Sequence, residues 1–217
     1  MSELILHGSP VSPYVRATRI ALIEKGAAYH FNEIGFDHLA TNEYAELNPF
    51  QKMPVLQQEN FVLYETSAIL GYIEELFDKV SLQPNTAQAR AHMWKWIGIA
   101  SHYFYPVGIT QLFVQQIMLP IMGSEADEVV VEKAVKVSAQ HLDVLEQELT
   151  GSFLVGNGLS LADITVGVMV SYIGMTKEGN ALISSRPKTA AWLSSLSKRD
   201  SFQHTLADLL VSQQKHE

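Results

Sequence analysis

The sequence of 217 residues contains no cysteine. This absence excludes disulfide bonds and any metal site built on thiolate ligands. It also excludes dithiol redox chemistry carried out by the protein's own side chains. Any thiol that reacts on this protein must therefore arrive with a ligand.

Positive charge is also scarce. The chain has 15 Lys and Arg residues against 23 Asp and Glu residues, which gives a formal net charge of −8 at pH 7. No run of Lys or Arg is visible, and the overall field repels phosphate. We therefore expect no nucleic-acid partner, and an acidic ligand would need a local positive site.

Long hydrophobic runs are missing as well. The longest apolar stretch, residues 161–175, carries Asp163 and is too short to span a bilayer. The first three residues, Met1 to Glu3, have no basic segment followed by an apolar stretch, as a signal peptide would. With 47% hydrophobic and 18% charged residues, the composition is typical of soluble globular proteins. We expect a cytoplasmic protein that makes no membrane contact.

The eight histidines do not form a recurring metal-ligand pattern. His92 and His102 are too far apart to share a helical face by an i, i+4 rule. We therefore predict no metal site.

Periodicity divides the chain into two unequal parts. The first part is predicted to contain, in order, strand 4–7, helix 13–25 ended by Gly26, strand 29–34, a hairpin of 55–57 with 61–63, and helix 65–77. Residues 79–87 include Pro84-Asn85 and are typical of a linker. Only helical spacing follows. The prediction is an α/β domain at residues 1–78 and an all-helical domain at residues 88–217.

Two short segments carry groups suited to the poles of a zwitterion. Pro54 keeps Met53 extended, so the Met53 backbone N–H and C=O can pair with an extended ligand. Glu65 can accept from an ammonium group, while the Thr66 hydroxyl and the free N–H groups of a helix start suit a carboxylate. The structural alternative is a strand-entry proline followed by an ordinary acidic helix N-terminus.

Two serines begin predicted helices. Ser12 precedes Pro13 and an apolar-periodic segment, which is the pattern of an N-cap with proline at the first helical position. From the residues alone, capping is the simpler interpretation of Ser12. Ser160 is followed three residues later by Asp163, which predicts a capping box with a purely structural role.

Together these segments resemble the glutathione transferase family, and the match covers nearly the whole chain. The similar segments are 5–16, which looks like the first strand, catalytic loop and first helix of a serine-type member, then 48–56, Glu65-Thr66, 156–164, 187–192 and 199–202. One departure is Arg199-Asp200, where many members have Arg-Pro.

The resemblance implies a thioredoxin-like N-terminal domain that binds glutathione, an all-α domain that contributes the electrophile pocket, and a homodimer. It implies that the thiolate of glutathione, a co-substrate, attacks a small hydrophobic electrophile. A glutathione-dependent peroxidase or isomerase at the same site is the enzymatic alternative. A non-catalytic binding or regulatory protein with this fold is the other.

The resemblance also assigns roles to individual residues. The Ser12 hydroxyl would donate to the glutathione sulfur, and Ser9 is the alternative. The residues expected to bind glutathione are Lys52, Met53, Pro54, Glu65, Thr66 and His38. The residues expected to line the electrophile pocket are Tyr14, Tyr103 and Tyr105, although aromatic residues at helical spacing more often belong to a core.

Overall fold

The first part of the chain folds into a mixed four-stranded sheet. The structure is a computed structural model that describes residues 3–207 and 210. The strands are β1 (Leu4–Gly8), β2 (His30–Glu33), β3 (Val55–Gln58) and β4 (Phe61–Tyr64). Their spatial order is β2-β1-β3-β4, with β1 parallel to β2 and the other neighbours antiparallel. All four predicted strands are thus confirmed.

The helices of this part are α1 (Pro13–Glu24), α2 (Asn42–Leu47) and α3 (Thr66–Leu76). The sequence predicted α1 and α3 but neither α2 nor the 3-10 turn Asp37–Ala40 before it. Thr41 caps α2, and Tyr44 is the only residue of α2 that is buried. A helix of six residues with one buried side chain leaves no apolar repeat for sequence reasoning to detect.

The two faces of the sheet bury different cores. The face towards α1 and α3 buries an apolar cluster of Leu4, Leu6, Val15, Leu22, Leu56, Ile69 and Ile73. The opposite face buries a smaller cluster of Ile34, Tyr44 and Val55. Alternation along β1 sends Leu6 to the first face and His7 to the second. The sheet is therefore apolar on one face and partly polar on the other.

The predicted linker is partly held by the first compact unit of the chain, which comprises residues 1–82 and 200–217. Lys25, the C-cap of α1, is 2% exposed and forms a salt bridge with Glu74 of α3 at 2.7 Å. The Lys25 ammonium also donates to the Val80 carbonyl at 2.5 Å, and the Glu74 carboxylate accepts the Leu82 N–H at 3.0 Å. This buried ion pair fixes residues 80–82 to the unit, which thus extends beyond the predicted boundary at residue 78.

The short helix α10 (Asp200–Gln203) also belongs to the first unit, whereas we expected it in the helical domain. The buried Arg16 guanidinium donates to the Phe202 carbonyl at 3.0 Å, and the Ser201 hydroxyl donates to Glu24 at 2.5 Å. A polar anchor in α1 therefore holds a segment that periodicity alone assigns elsewhere. The predicted end of the helical domain, residues 211–217, lies outside the described residues, as do Met1 and Ser2.

The second unit, residues 83–199, is entirely helical, as predicted. Its elements are α4 (Ala87–Ile99), a π-helical segment (Ala100–Met118), α5 (Leu119–Ile121), α6 (Glu128–Glu148), α7 (Leu161–Ile173), α8 (Lys177–Ser184) and α9 (Pro187–Ser197). Helix α7 is buried on almost all sides and packs against α4, α9 and the π-helical segment. The predicted capping box of Ser160 and Asp163 begins α7 and is confirmed.

The α/β unit followed by a helical unit confirms the predicted fold class. Within residues 3–207 and 210, no helix is both long enough and apolar enough to cross a membrane. The same residues contain no cluster of three or more His, Asp or Glu side chains that could hold a metal ion.

Candidate active site

Three chain segments meet at one edge of the sheet. Val55, the first residue of β3, pairs with the penultimate residue of β1 and with the last residue of β4. Ser9, Pro54 and Glu65 therefore emerge beyond the same edge, one from each strand. The segments that sequence reasoning singled out separately are thus adjacent in the first unit.

Ser12 is the N-cap of α1 and is 7% exposed. Its backbone is extended, with φ −73° and ψ 124°, and its Oγ accepts the Val15 N–H at 3.4 Å. No residue in the described part of the chain accepts a hydrogen bond from the Ser12 hydroxyl. Capping uses only a lone pair of the oxygen, so the hydroxyl hydrogen is available to a ligand.

Ser9 lies in the same loop and is 6% exposed. Its carbonyl accepts the Ser12 N–H at 3.0 Å, while its side chain makes no hydrogen bond to any described residue. Ser9 lacks the helix N-terminus that adjoins Ser12, but its hydroxyl is equally unused. It remains the alternative donor.

Met53 and Pro54 are joined by a cis peptide bond directly before β3. Pro54 is buried and Met53 is half-buried. The Met53 sulfur accepts the backbone N–H of Ser9 at 3.1 Å. The strand-entry segment and the loop that carries both serines are therefore in direct contact.

Lys52 and His38 both contact Tyr44. The Tyr44 hydroxyl donates to the Lys52 carbonyl at 3.0 Å, and the Asn48 amide donates to the same carbonyl at 2.8 Å. Burial raises the pKa of Tyr44 to about 12, which keeps this hydroxyl a donor. The His38 ring contacts the Tyr44 ring edge-on at 5.9 Å between centroids. The Lys52 side chain is exposed, and His38 is half-buried.

Glu65 and Thr66 form the turn from β4 into α3. Glu65 has φ +71° and ψ 112°, an unusual conformation for a residue with a side chain. Its carbonyl accepts the Ile69 N–H at 2.9 Å, but its carboxylate does not cap the helix. Neither the Glu65 carboxylate nor the Thr66 hydroxyl bonds to another described side chain or backbone group. An acceptor and a donor for a charged ligand thus stand side by side at an uncapped helix start.

Sequence reasoning missed a buried histidine next to the site. His7 of β1 is 8% exposed and bonds to Gln57 at 3.2 Å and to Asn32 at 2.9 Å, which joins three strands on the polar face of the sheet. Burial lowers the pKa of His7, as do the nearby His30 and His38, against the hydrogen bond to Gln57. The alternation of β1 is the signal in the sequence that places His7 on the face opposite Leu6.

The three predicted pocket tyrosines fall in different units. Tyr14 is half-buried near the start of α1, in the first unit. Tyr103 and Tyr105 lie in the π-helical segment of the second unit. The Tyr103 side chain is 56% exposed and contacts His141 of α6 edge-on at 5.9 Å, while burial raises the pKa of Tyr105. Their assignment to one pocket stays a prediction.

Family models match most of the chain. Residues 6–82 match the N-terminal domain of glutathione S-transferase, and residues 109–200 match its C-terminal domain. The edge of the sheet described above, from Ser9 to Thr66, lies entirely within the first match.

Known proteins agree with these matches. The chain is 31% identical to glutathione S-transferase 3 of Zea mays over 212 residues, which is 95% of each chain. It is 31% identical to the apo structure of glutathione S-transferase III, with a TM-score of 0.86 over 96% of this chain and 97% of the other. A structure of glutathione S-transferase I bound with lactoylglutathione is 26% identical, with a TM-score of 0.85 over 94% and 99%. The chain belongs to the glutathione S-transferase family.

Proposed function

We propose that the protein conjugates the thiolate of glutathione to small hydrophobic electrophiles, with Ser12 as the residue that stabilises the thiolate. The observation that carries the proposal is the Ser12 hydroxyl, which is nearly buried, caps α1 through its oxygen and has no acceptor for its hydrogen among the described residues. A sulfur anion placed at this helix start supplies that acceptor.

The chemistry requires no nucleophile from the protein. Ser12 donates a hydrogen bond to the sulfur, and the N-terminus of α1 adds positive potential, so both favour the thiolate over the thiol. The thiol proton passes to solvent, and the thiolate forms a carbon–sulfur bond with the electrophile. The electrophile either releases a leaving group with the displaced electron pair or, in an addition, takes up that pair and a proton from solvent. Because the chain contains no cysteine, the bound ligand supplies the only thiol in the reaction.

We assign the remaining contacts to the γ-glutamyl, cysteinyl and glycyl parts of glutathione. Glu65 and Thr66 would bind the ammonium and carboxylate groups of the γ-glutamyl end, and the Met53 backbone beside Pro54 would pair with the cysteinyl peptide. Lys52 and His38 would attract the glycyl carboxylate. The bound lactoylglutathione in the related glutathione S-transferase I supports a glutathione ligand in this fold.

The proposal has three further parts that rest on the family. Tyr14, Tyr103 and Tyr105 would contact the electrophile. The active form would be a homodimer located in the cytoplasm. Sedimentation of the purified protein at micromolar concentration should give the mass of a dimer, and a monomer would contradict that part.

The central test compares Ser12→Ala with Ser9→Ala. For each variant, we would titrate the ultraviolet absorbance of bound glutathione thiolate, measure turnover and record thermal stability. Ser12→Ala removes one hydrogen bond to an anion, so turnover should fall roughly ten- to a hundredfold and the bound thiol should ionise at higher pH. Loss of the cap should also cost about 1 kcal/mol of stability.

Each possible result has a distinct meaning. If Ser9→Ala shifts the thiol titration and Ser12→Ala does not, the donor is Ser9 and Ser12 is only a cap. If the wild-type protein binds no glutathione, the chain is a non-catalytic member of the family. Product analysis with a peroxide in place of an electrophile separates conjugation from peroxide reduction.

A further inference from the structure

The loop that carries Ser9 and Ser12 is attached by an unusual acceptor to Met53, in the segment that leads into β3. The backbone N–H of Ser9 is directed to the thioether sulfur of Met53, at 3.1 Å, and not to an oxygen. Ser9 is 6% exposed, and a buried N–H needs an acceptor within the protein. Among the described residues, the Met53 sulfur is the one that supplies it.

The Met53 sulfur is held in position by the packing of its side chain and by the residues on either side of it. The Met53 side chain packs against the apolar clusters of both faces of the sheet. The preceding carbonyl, that of Lys52, accepts two hydrogen bonds, and the following residue, Pro54, is buried. The position of the acceptor is therefore set by the sheet and not by the loop that it holds.

Ser9 connects the Met53 contact to Ser12, because its N–H bonds to the Met53 sulfur and its carbonyl bonds to Ser12. The Ser9 carbonyl accepts the Ser12 N–H at 3.0 Å, and the Gly8 carbonyl before it accepts the Ile34 N–H at 3.1 Å. The loop from Gly8 to Ser12 is thus held by Ile34, the residue directly after β2, and by the Met53 sulfur.

We propose that the Met53 side chain is a positioning residue for the reaction, in addition to the backbone role assigned above: its sulfur braces the Ser9–Ser12 loop and so sets the direction of the hydroxyl that stabilises the thiolate. The effect on catalysis rests on the proposed function, whereas the brace itself does not. Leucine at this position would fill similar space without a lone pair.

The test uses Met53→Leu, with Met93→Leu as the matched control. Met93 is fully buried in α4 of the second unit, so its variant reports what a methionine-to-leucine change does away from the loop. A third variant, Met53→Gln, keeps an acceptor at similar reach. The measurements are amide hydrogen exchange of Ser9 in the ligand-free protein, the thiolate titration of bound glutathione, and kcat and KM.

In Met53→Leu, Ser9 exchange should accelerate about tenfold, kcat should fall about three- to tenfold, and the bound thiol should ionise at higher pH. KM for glutathione should stay within about twofold, because the backbone contacts remain. Met53→Gln should recover part of each change, and Met93→Leu should show none of them.

If the Ser9 amide exchanges at the same rate in Met53→Leu as in wild type, the Met53 sulfur does not hold the loop. Faster exchange with unchanged kcat and thiol titration would overturn its catalytic role, as would a rise in KM alone. If wild-type protein shows no bound thiolate, the proposed function fails while the exchange rate still decides whether the sulfur holds the loop.

Discussion

Two buried serines, Ser12 and Ser160, begin helices, and only the Ser160 hydroxyl both accepts and donates a hydrogen bond within the described residues. At the start of α7, the Ser160 Oγ accepts the Asp163 N–H at 3.4 Å and donates to the Asp163 carboxylate at 2.6 Å. At the start of α1, the Ser12 Oγ accepts the Val15 N–H at the same 3.4 Å and donates to no described residue. The difference lies in the third helical residue, aspartate in one case and valine in the other.

This difference separates a structural cap from a cap that can serve a ligand. A carboxylate at the third position takes up the hydroxyl hydrogen, while an apolar residue leaves it available. The Asp163 carboxylate also accepts the Leu154 N–H at 2.7 Å and the Trp192 indole N–H at 2.9 Å, so its oxygens are fully used. Burial raises the pKa of Asp163, and these hydrogen bonds to the carboxylate oppose that rise.

We call the Ser160 cap closed, because the Asp163 carboxylate accepts its hydroxyl hydrogen, and the Ser12 cap open, because no described residue does so. The largest effect should come from removing that carboxylate. Asp163→Ala leaves four donors without their acceptor, namely the N–H groups of Leu154, Ser160 and Trp192 and the Ser160 hydroxyl. The free energy of unfolding should therefore drop by about 3–5 kcal/mol. Urea unfolding measures this. The control is Asp143→Ala, which removes an exposed carboxylate paired with Arg186 and should cost much less. Equal losses in the two variants would show that the capping box contributes no more than a surface ion pair.

Removing the hydroxyl from each cap should then separate stability from chemistry. Ser160→Ala loses a hydrogen bond to a buried carboxylate and should cost about 2 kcal/mol of stability, with the thiolate titration of bound glutathione unchanged. Ser12→Ala should show the reverse pattern, a smaller stability loss and a large shift in that titration. If both variants behave alike, the distinction between open and closed caps is wrong.

A third helix start, that of α3, has no side-chain cap and a strained residue instead. Glu65→Gly should raise the free energy of unfolding by about 1 kcal/mol, because glycine adopts φ +71° without a steric penalty. The same change should weaken glutathione binding about tenfold, since a charged contact is lost. The matched control is Glu59→Gly in the hairpin turn, where φ is +52°. Glu59→Gly should also gain stability, with glutathione affinity unaffected.

The smallest predicted effect concerns the strand that leads into the open cap. Burial holds the pKa of His7 below the value of about 6.5 expected in the unfolded chain. The unfolded state therefore binds more protons below pH 6.5, and this part of the stability is lost as the pH falls towards the folded-state pKa. Unfolding free energy measured from pH 7.5 to 5 should depend less on pH in His7→Gln than in wild type. His92→Gln, at an exposed position in α4, should keep the wild-type slope.

Local signals carried most of the fold prediction. Proline after Ser12, the spacing of Ser160 and Asp163, and the apolar alternation of the strands each act within a few residues. The sequence alone therefore located the starts of α1, α3 and α7 and the four strands. The hydrogen bond from Ser9 to the Met53 sulfur joins residues 44 positions apart, and no short pattern records it. The same is true of the His7 contacts, which depend on strand register.

The candidate site was predictable as a set of residues and not as a geometry. Motifs named Ser12, Glu65 and Thr66, but only the structure identifies which of their polar groups are already used by the protein. In both units, a serine before a helix predicts an N-cap. Only the third helical residue distinguishes a cap whose hydroxyl hydrogen is used from one whose hydroxyl hydrogen is available. Whether these groups hold glutathione stays a prediction for the experiments above.

The contact between Arg16 and Phe202 has a consequence for the order in which the two units can fold during synthesis. These residues are 186 positions apart, so the ribosome must also make the helical unit, residues 83–199, before the first unit can close. The helical unit emerges in between and has all of its contacts available earlier. Closing so long a loop costs entropy that local contacts do not repay. An N-terminal fragment ending at residue 82 would keep the sheet and the serine loop yet lack the partner of its buried arginine at Phe202. A segment translated after the helical unit thus completes the unit translated before it.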